Sequence, residues 1–347
     1  MPTVTPVTAA GYVLYAGYLA DAPVFLSADG SVVLGTEGQS GQEGQSRPEG
    51  QSGPEGQGGP QGRRESIGGG VLAAVRDLDG RSLVTGGDDG RVCRLHADGT
   101  VTVIAEKPRK WIDQVAVGPS GAVAFASGRT VWVREASAKE HELVRPRAVG
   151  GLAFFPKGLR VAIAGYNGVG LWFPGATAPP QELEWKGSHI AVTLSPDGAN
   201  VVTSMQENAL HGWRLKDGQH MRMSGYPVKV KSLSWSMKGR YLASSGAGAA
   251  ICWPFHYKDG PMGKRPLELG PRQELVTQVA CHPSEEIAAL GYEDGMVLLV
   301  RFSDGEEVLM RRPGDGGPVT ALGWNRTGLE LAFGTEAGAA GVIDLAG

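Results

Sequence analysis

The sequence is short of several things that would point to chemistry. It has 3 cysteines in 347 residues, and Cys93, Cys252 and Cys281 are odd in number and widely scattered. That is not a disulfide framework; the spacing reads as small core residues of a reducing compartment. There is no excess of either charge: 33 basic against 36 acidic side chains give a formal net charge of -3. A general affinity for nucleic acid is therefore not implied. No apolar run approaches the roughly 18 residues of a membrane span, and the N-terminal stretch MPTVTPVTAAGYVLYAGYLA lacks a positive leader. A cytoplasmic protein that does not bind membranes is expected.

Catalytic signatures are missing as well. No G-x-S-x-G elbow occurs, and Gly68-Gly69-Gly70 precedes a strand instead of the helix that an anion-cradling loop needs. Cys93 and His96 lie at opposite parity on one strand, as do the adjacent Cys281 and His282, so neither pair can converge on one metal from a regular strand. The chain is expected to be non-enzymatic, with no catalytic residue, no cofactor and no metal.

What the sequence does have is glycine, 54 residues of it, and a repeat. The stretch Val192–Leu215 reads as a strand, a Ser195-Pro196-Asp197-Gly198 turn, a second strand, a polar turn at Gln206-Glu207-Asn208, and a third strand ending on Trp213-Arg214-Leu215. Related turns recur at Asp79-Gly80, Ser120-Gly121, Lys157-Gly158, Lys238-Gly239, Ser284-Glu285 and Thr327-Gly328. Trp132, Trp172, Trp213 and Trp253 close third strands at a period of about 40 residues. Short alternating runs between Gly, Pro, Asp and Asn turns predict strands, not helices. One such unit cannot bury both faces of its sheet. Stacked radially, each sheet covers its neighbours, so the period predicts an all-β propeller of four-stranded blades.

At this point the chain resembles the WD40-repeat family over nearly its whole length. The resemblance is carried by LVTGGDDGRVCRL (83–95), LSPDGANVVTSMQENALHGWRL (194–215) and LGYEDGMVLLVRF (290–302). It looks like a divergent bacterial-type member without intact Trp-Asp dipeptides, since the tryptophans are followed by Val133, Phe173, Arg214 and Pro254. The Gly-His pair is reduced to Ser188-His189, so the family's His, Ser/Thr, Asp and Trp hydrogen-bond tetrad is incomplete and packing is expected to hold the blades instead. The resemblance implies a protein-binding scaffold or adaptor. The alternative is a small-molecule or metal-dependent enzyme using the central channel, but the innermost strands (VLAAV, VAVGP, LAFFP, VTLSP, LSWSM, VACHP and ALGWN) carry small and apolar residues. A purely structural subunit would need a large exposed apolar patch.

Second-to-third-strand turns fall at Gly30, Gly90, Gly128, Gly168, Asn208, Gly248, Gly295 and Gly338, which favours eight blades, with seven as the alternative. The ring is expected to close by pairing the N-terminal strand, residues 2–8, beside Val342–Leu345. Residues 37–65, almost pure Gly, Gln, Glu, Ser and Pro, cannot bury apolar surface and are expected to form a disordered loop at the rim, inserted in a single domain spanning 1–347. A longer connection, 256–273, carries Lys258, Lys264, Arg265 and Arg272. Met221 and Met223 share a strand face and read as core.

The functional signal is asymmetry between repeats. Loops leading into the innermost strands share one rim with the second-to-third-strand turns. They hold Lys110, Trp111, Arg147, Lys186, His189, Tyr226, Lys229 and Arg272 in one set, with Tyr166, Gln206 and Tyr292 in the other. Trp, Tyr and Arg are enriched where proteins bind proteins, so these residues are the expected protein-binding face of a monomer, Trp111 and Tyr226 foremost.

Overall fold

The computed structural model describes residues 2–35 and 62–346. Strand β1 is Thr3–Thr8. Then come β2–β5 (Val13–Leu19, Ala22–Ser27, Ser31–Leu34, Arg63–Ser66) and β6–β9 (Val71–Arg76, Ser82–Gly87, Arg91–His96, Val101–Glu106). They are followed by β10–β13 (Gln114–Val117, Val123–Ser127, Thr130–Arg134, Glu140–Val144). Next are β14–β19 (Val149–Phe154, Val161–Trp172, Gln181–Leu194, Asn200–Met205, Ala209–Arg214, Gln219–Ser224). The last strands are β20–β23 (Leu233–Trp235, Tyr241–Ser244, Ala250–Pro254, Leu267–Leu269), β24–β27 (Val276–Cys281, Ile287–Tyr292, Val297–Arg301, Glu307–Arg311) and β28–β30 (Val319–Trp324, Glu330–Thr335, Ala339–Asp344).

Each group is an antiparallel meander, and β1 completes the last one in the order β1-β30-β29-β28. Thr3 faces Asp344 and Thr8 faces Ala339, so the N-terminal strand closes the ring as expected. The expectation of eight blades is corrected to seven, the alternative count: the described residues form seven hydrogen-bonded sheets, six of four strands and one of six, β14 to β19. The cause is local. β16 runs on as one strand through its two roles: Gln181–Glu184 and Ser188 pair back onto β15, with Trp185–Gly187 bulged between them, and from His189 onward it pairs with β17. Gly187, at φ +132°, takes the change of direction without a separate loop. The six-stranded sheet thus carries two of the meanders read in the sequence. Neighbouring first strands contact one another: β2 with β6 and β28, β6 with β10, β10 with β14, β20 with β24, and β24 with β28.

The core is distributed along the seams between neighbouring sheets. Leu83, Cys93 and Leu95 pack with Leu19, Val24 and Leu26, while Val84, Val92 and Ile112 pack with Phe125 and Trp132. The middle strands of the sheets therefore bury one face against the preceding sheet and the other against the following one, which is why their sequences are apolar at both parities. Met221 and Met223 are buried in such a seam, beside Val230, Leu242 and Trp253. Burial raises the thiols of Cys252 and Cys93, and pushes Cys281 up to about 12, so all three stay protonated.

Polar clasps join the innermost strands. The Thr277 hydroxyl donates to Val319 O at 2.7 Å, Thr320 to Val13 O at 2.6 Å, and Trp324 Nε1 to Ala280 O at 3.0 Å. Trp235 Nε1 donates to Thr193 Oγ1 at 3.0 Å, and the Ser234 hydroxyl accepts from Cys281 N at 2.9 Å.

Of the low-complexity stretch 37–65, residues 37–61 lie outside the described residues. Its last part is corrected: Arg63, Arg64 and Glu65 form β5, paired with Leu34, Val33 and Val32. The described residues that flank the stretch, Leu34 and Arg63, are paired in a third and a fourth strand, at the end opposite the second-to-third-strand turn. The first part of the long 256–273 connection, residues 256–266, folds on that opposite face, where Arg214 donates to Lys258 O at 2.8 Å and Lys264 Nζ stands 4.8 Å over the Tyr257 ring; β23 then carries the chain back to Arg272 at the rim.

Candidate interaction surface

The two loop sets expected to share a rim are hydrogen-bonded to one another around the ring. Lys107 N donates to Gly90 O, Ile112 N to Gly87 O, Arg145 N to Arg129 O, Val149 N to Gly128 O, Gln206 N to Ser188 O and Arg272 N to Gly248 O, all between 2.7 and 2.9 Å. The loops into β10, β14 and β24 are thus tied to the second-to-third-strand turn of the sheet before, and the entry to the inner end of β16 is tied to the turn after β17. The rim is a fixed surface, with little ordering left to lose on binding.

Trp111 is the largest apolar side chain displayed there, at 69% exposure. Its position follows from its neighbours. Ile112 is fully buried in the seam, Lys110 N donates to Lys107 O at 3.1 Å, and Arg109 takes φ +63°, a left-handed turn that a non-glycine residue holds only when its surroundings impose it. The loop is pinned on both sides and the indole is left outside. Tyr166 is 51% exposed at the tip of the β15 turn, and it shares the wall of a shallow pocket with Arg147. Lys110, Arg147 and Gln206 are exposed too. Lys229 is half-buried, with Nζ 3.3 Å from Gln206 Oε1.

Four of the expected contact residues are placed differently. His189 is buried: its Nε2–H donates to Trp185 O at 3.0 Å, which leaves Nδ1 to accept from the Thr203 hydroxyl at 2.7 Å. Burial lowers its pKa, so the ring is neutral. Tyr226 is buried because it takes part in a relay. Trp253 Nε1 donates to the Tyr226 hydroxyl (2.7 Å), which donates to Ser244 Oγ (2.7 Å), which donates to Ile251 O (2.8 Å). Tyr292 is buried, and its hydroxyl donates to Gly270 O at 2.5 Å. Arg272 is exposed but is committed to an ion pair with Glu307. These residues hold the sheets together and do not present themselves to a partner. The expectation that packing alone replaces the missing tetrad is corrected with them: His189–Thr203 survives in one meander, and the Trp253–Tyr226–Ser244 relay stands in for it in the next.

Two contributors to the rim escaped the sequence reading. Arg109 precedes Lys110-Trp111, and Arg129 follows Gly128 in a tight turn; both are exposed, and among the described residues neither is in an ion pair. Basic residues flanking an aromatic or a turn glycine were the available signal. Arg145, next to Arg129 on the rim, is occupied by a two-pronged pair with Glu182 at 2.6 and 2.9 Å.

The axis of the ring opens on the same side into a cavity of about 190 Å³ near Tyr12, Lys229, Lys231, Thr277, Glu293 and Glu336. Among the described residues no group of three or more His, Cys, Asp or Glu side chains could hold a metal ion, and no helix is long and apolar enough to cross a membrane.

No protein-family model matches the chain, and no curated protein does. Solved structures do match. A computationally designed protein, Ika8, is similar over 97% of this chain and 98% of its own length, with TM-score 0.72 and 19% identity. The WD40 repeats of RRP9 match over 79% of this chain and 94% of theirs (TM-score 0.59, 16% identity). U3-55K matches over 79% and 95% (TM-score 0.59, 17% identity). At such identities the likeness speaks for architecture, and the architecture of this chain is that of a WD40-type β-propeller.

Proposed function

We propose that this protein is a non-enzymatic scaffold or adaptor that binds another protein through its rim. The observation that carries the reading is Trp111, an indole held in solvent on a loop whose backbone is fixed on either side. Exposing so much apolar surface costs about 25 cal/mol per Å², a cost that a partner covering the ring recovers on binding. Tyr166, Lys110, Arg147 and Gln206 complete the face, and Arg109 and Arg129 join it. The mechanism is preorganisation: the inter-loop hydrogen bonds fix the contact residues before the partner arrives. We place the protein in the cytoplasm as a monomeric single domain, with one protein partner at a time on this rim.

Affinity capture from native extract tests this, comparing wild type with a Trp111→Ala, Tyr166→Ala double variant of unchanged circular dichroism. Loss of a captured protein in the variant is the expected result. Equal recovery by both would move the interface off this rim.

A further inference from the structure

The rim is electrically two-sided. Going round the ring from the β9–β10 loop to the middle of β16, the exposed groups are Arg109, Lys110, Arg129, Arg147 and Lys186. Among the described residues none of the five is in a salt bridge, whereas Lys107 and Arg145 beside them are taken by Glu140 and Glu182. Trp111 and Tyr166 stand within this arc. Asp113 is the exposed carboxylate of the same loop, and desolvation raises its pKa. Across the ring the loops into β24 and β28 and the turns after β25 and β29 carry five carboxylates, Glu274, Glu293, Asp294, Asp315 and Glu336, beside Arg311, Arg312 and an Arg272 already paired with Glu307. One arc is unpaired and cationic, and the facing arc carries an excess of carboxylates.

We infer that the arc from Arg109 to Lys186 receives a short acidic peptide segment of the partner, with an apolar side chain seated on Trp111 and Tyr166. This deepens the proposed function and rests on it. Five cations without counter-ions, on a chain whose formal charge is -3, are the complement of a carboxylate-bearing ligand. Guanidinium groups bind carboxylates through two parallel hydrogen bonds, so Arg109, Arg129 and Arg147 supply direction as well as charge. A nucleic-acid strand is the poorer fit. A long polyanion crossing the rim meets the facing carboxylates, while a short peptide ends before it reaches them. Opposite charge across the interface speeds encounter and discriminates against basic partners.

The test is fluorescence anisotropy with a labelled pool of peptides of about twelve residues, Asp or Glu at most positions and one Leu, Phe or Trp, against the same pool with Lys in place of the acids. Wild type should bind the acidic pool and not the basic one. Raising salt from about 50 to about 300 mM should weaken binding severalfold, and a Lys110→Glu, Arg147→Glu double variant should weaken it about tenfold or more. Both positions are exposed, and circular dichroism of the variant confirms its fold. A single-stranded oligonucleotide that binds more tightly than the acidic pool would overturn the inference. So would acidic-peptide binding that the double variant leaves unchanged. If the acidic pool fails to bind while extract capture still depends on Trp111 and Tyr166, the acidic specificity is overturned and the rim reading stands. If capture also ignores Trp111 and Tyr166, the rim reading itself fails.

Discussion

The most quantitative consequence of the structure concerns acid. His211 lies in the middle of β18, fully buried, with its ring stacked on Trp185 at 3.9 Å between centroids. Its Nε2 is 3.0 Å from His220 Nδ1, and its own Nδ1 has no partner. Burial, and then the nearby His220, His189 and Arg222, hold its pKa down from 6.5 to about 3. The folded protein keeps this ring neutral where the unfolded chain would protonate it. The contribution to stability is therefore complete above pH 6.5 and is lost progressively as pH falls from 6.5 toward 3. At about pH 5 the unfolded state is favoured by roughly 1.5 pH units of proton binding, which is about 2 kcal/mol. Urea unfolding followed by tryptophan fluorescence reports the change directly, because Trp185 and Trp213 flank the ring. A His211→Gln variant removes the titrating group but leaves His189 and His220 in place. The loss of stability between about pH 7.5 and pH 5 should be smaller in the variant by about 2 kcal/mol. The same loss in both proteins would refute the assignment of a neutral, acid-labile His211.

Four other outcomes are expected. Tyr226→Phe breaks the relay and leaves the Trp253 N–H buried without an acceptor, so chemical denaturation should show a loss of about 1–3 kcal/mol with capture of the partner retained. Thr277→Val removes the clasp to Val319 O and should cost about 1 kcal/mol in the same assay. Gly328→Ala puts a Cβ into the His282 ring, whose Nε2–H donates to Gly328 O at 3.1 Å, at a position of φ +77°; a melting temperature lowered by several degrees is expected, and an unchanged one would contradict the contact. Deleting residues 2–8 strips β1 from β30 and exposes a sheet edge, so the shortened chain should aggregate on size-exclusion chromatography.

Much of the fold was legible because it depends on periodicity. A repeat near 40 residues, apolar strands at both parities and turn glycines at fixed offsets leave few arrangements other than a ring, and a lone strand at one end with an unmatched meander at the other foretold the closure by β1 and β30. What escaped was decided by single backbone positions. Nothing in Lys186-Gly187-Ser188 announces that β16 runs on as one strand from its β15 pairing into its β17 pairing, because a glycine that turns the chain and a glycine that interrupts it look alike. The site divided along similar lines. Trp111, Tyr166, Arg147 and Lys110 are exposed because the residues beside them fill the seam. His189, Tyr226 and Tyr292 occupy comparable loop or turn positions, yet their rings point inward to Thr203, Ser244 and Gly270 O. A tyrosine near the end of a strand is compatible with both outcomes, and only the location of a hydrogen-bond partner across the sheet separates them.

The central claim is that a partner sits on the rim, over Trp111. A photo-crosslinking amino acid placed at position 111 addresses it most directly, with the same group at the exposed Leu78, in a turn on the opposite face, as the control. Irradiation in native extract should give one discrete protein adduct from position 111 and none from position 78. An adduct from position 78 alone, or none from position 111 when capture shows that a partner is bound, would contradict the account.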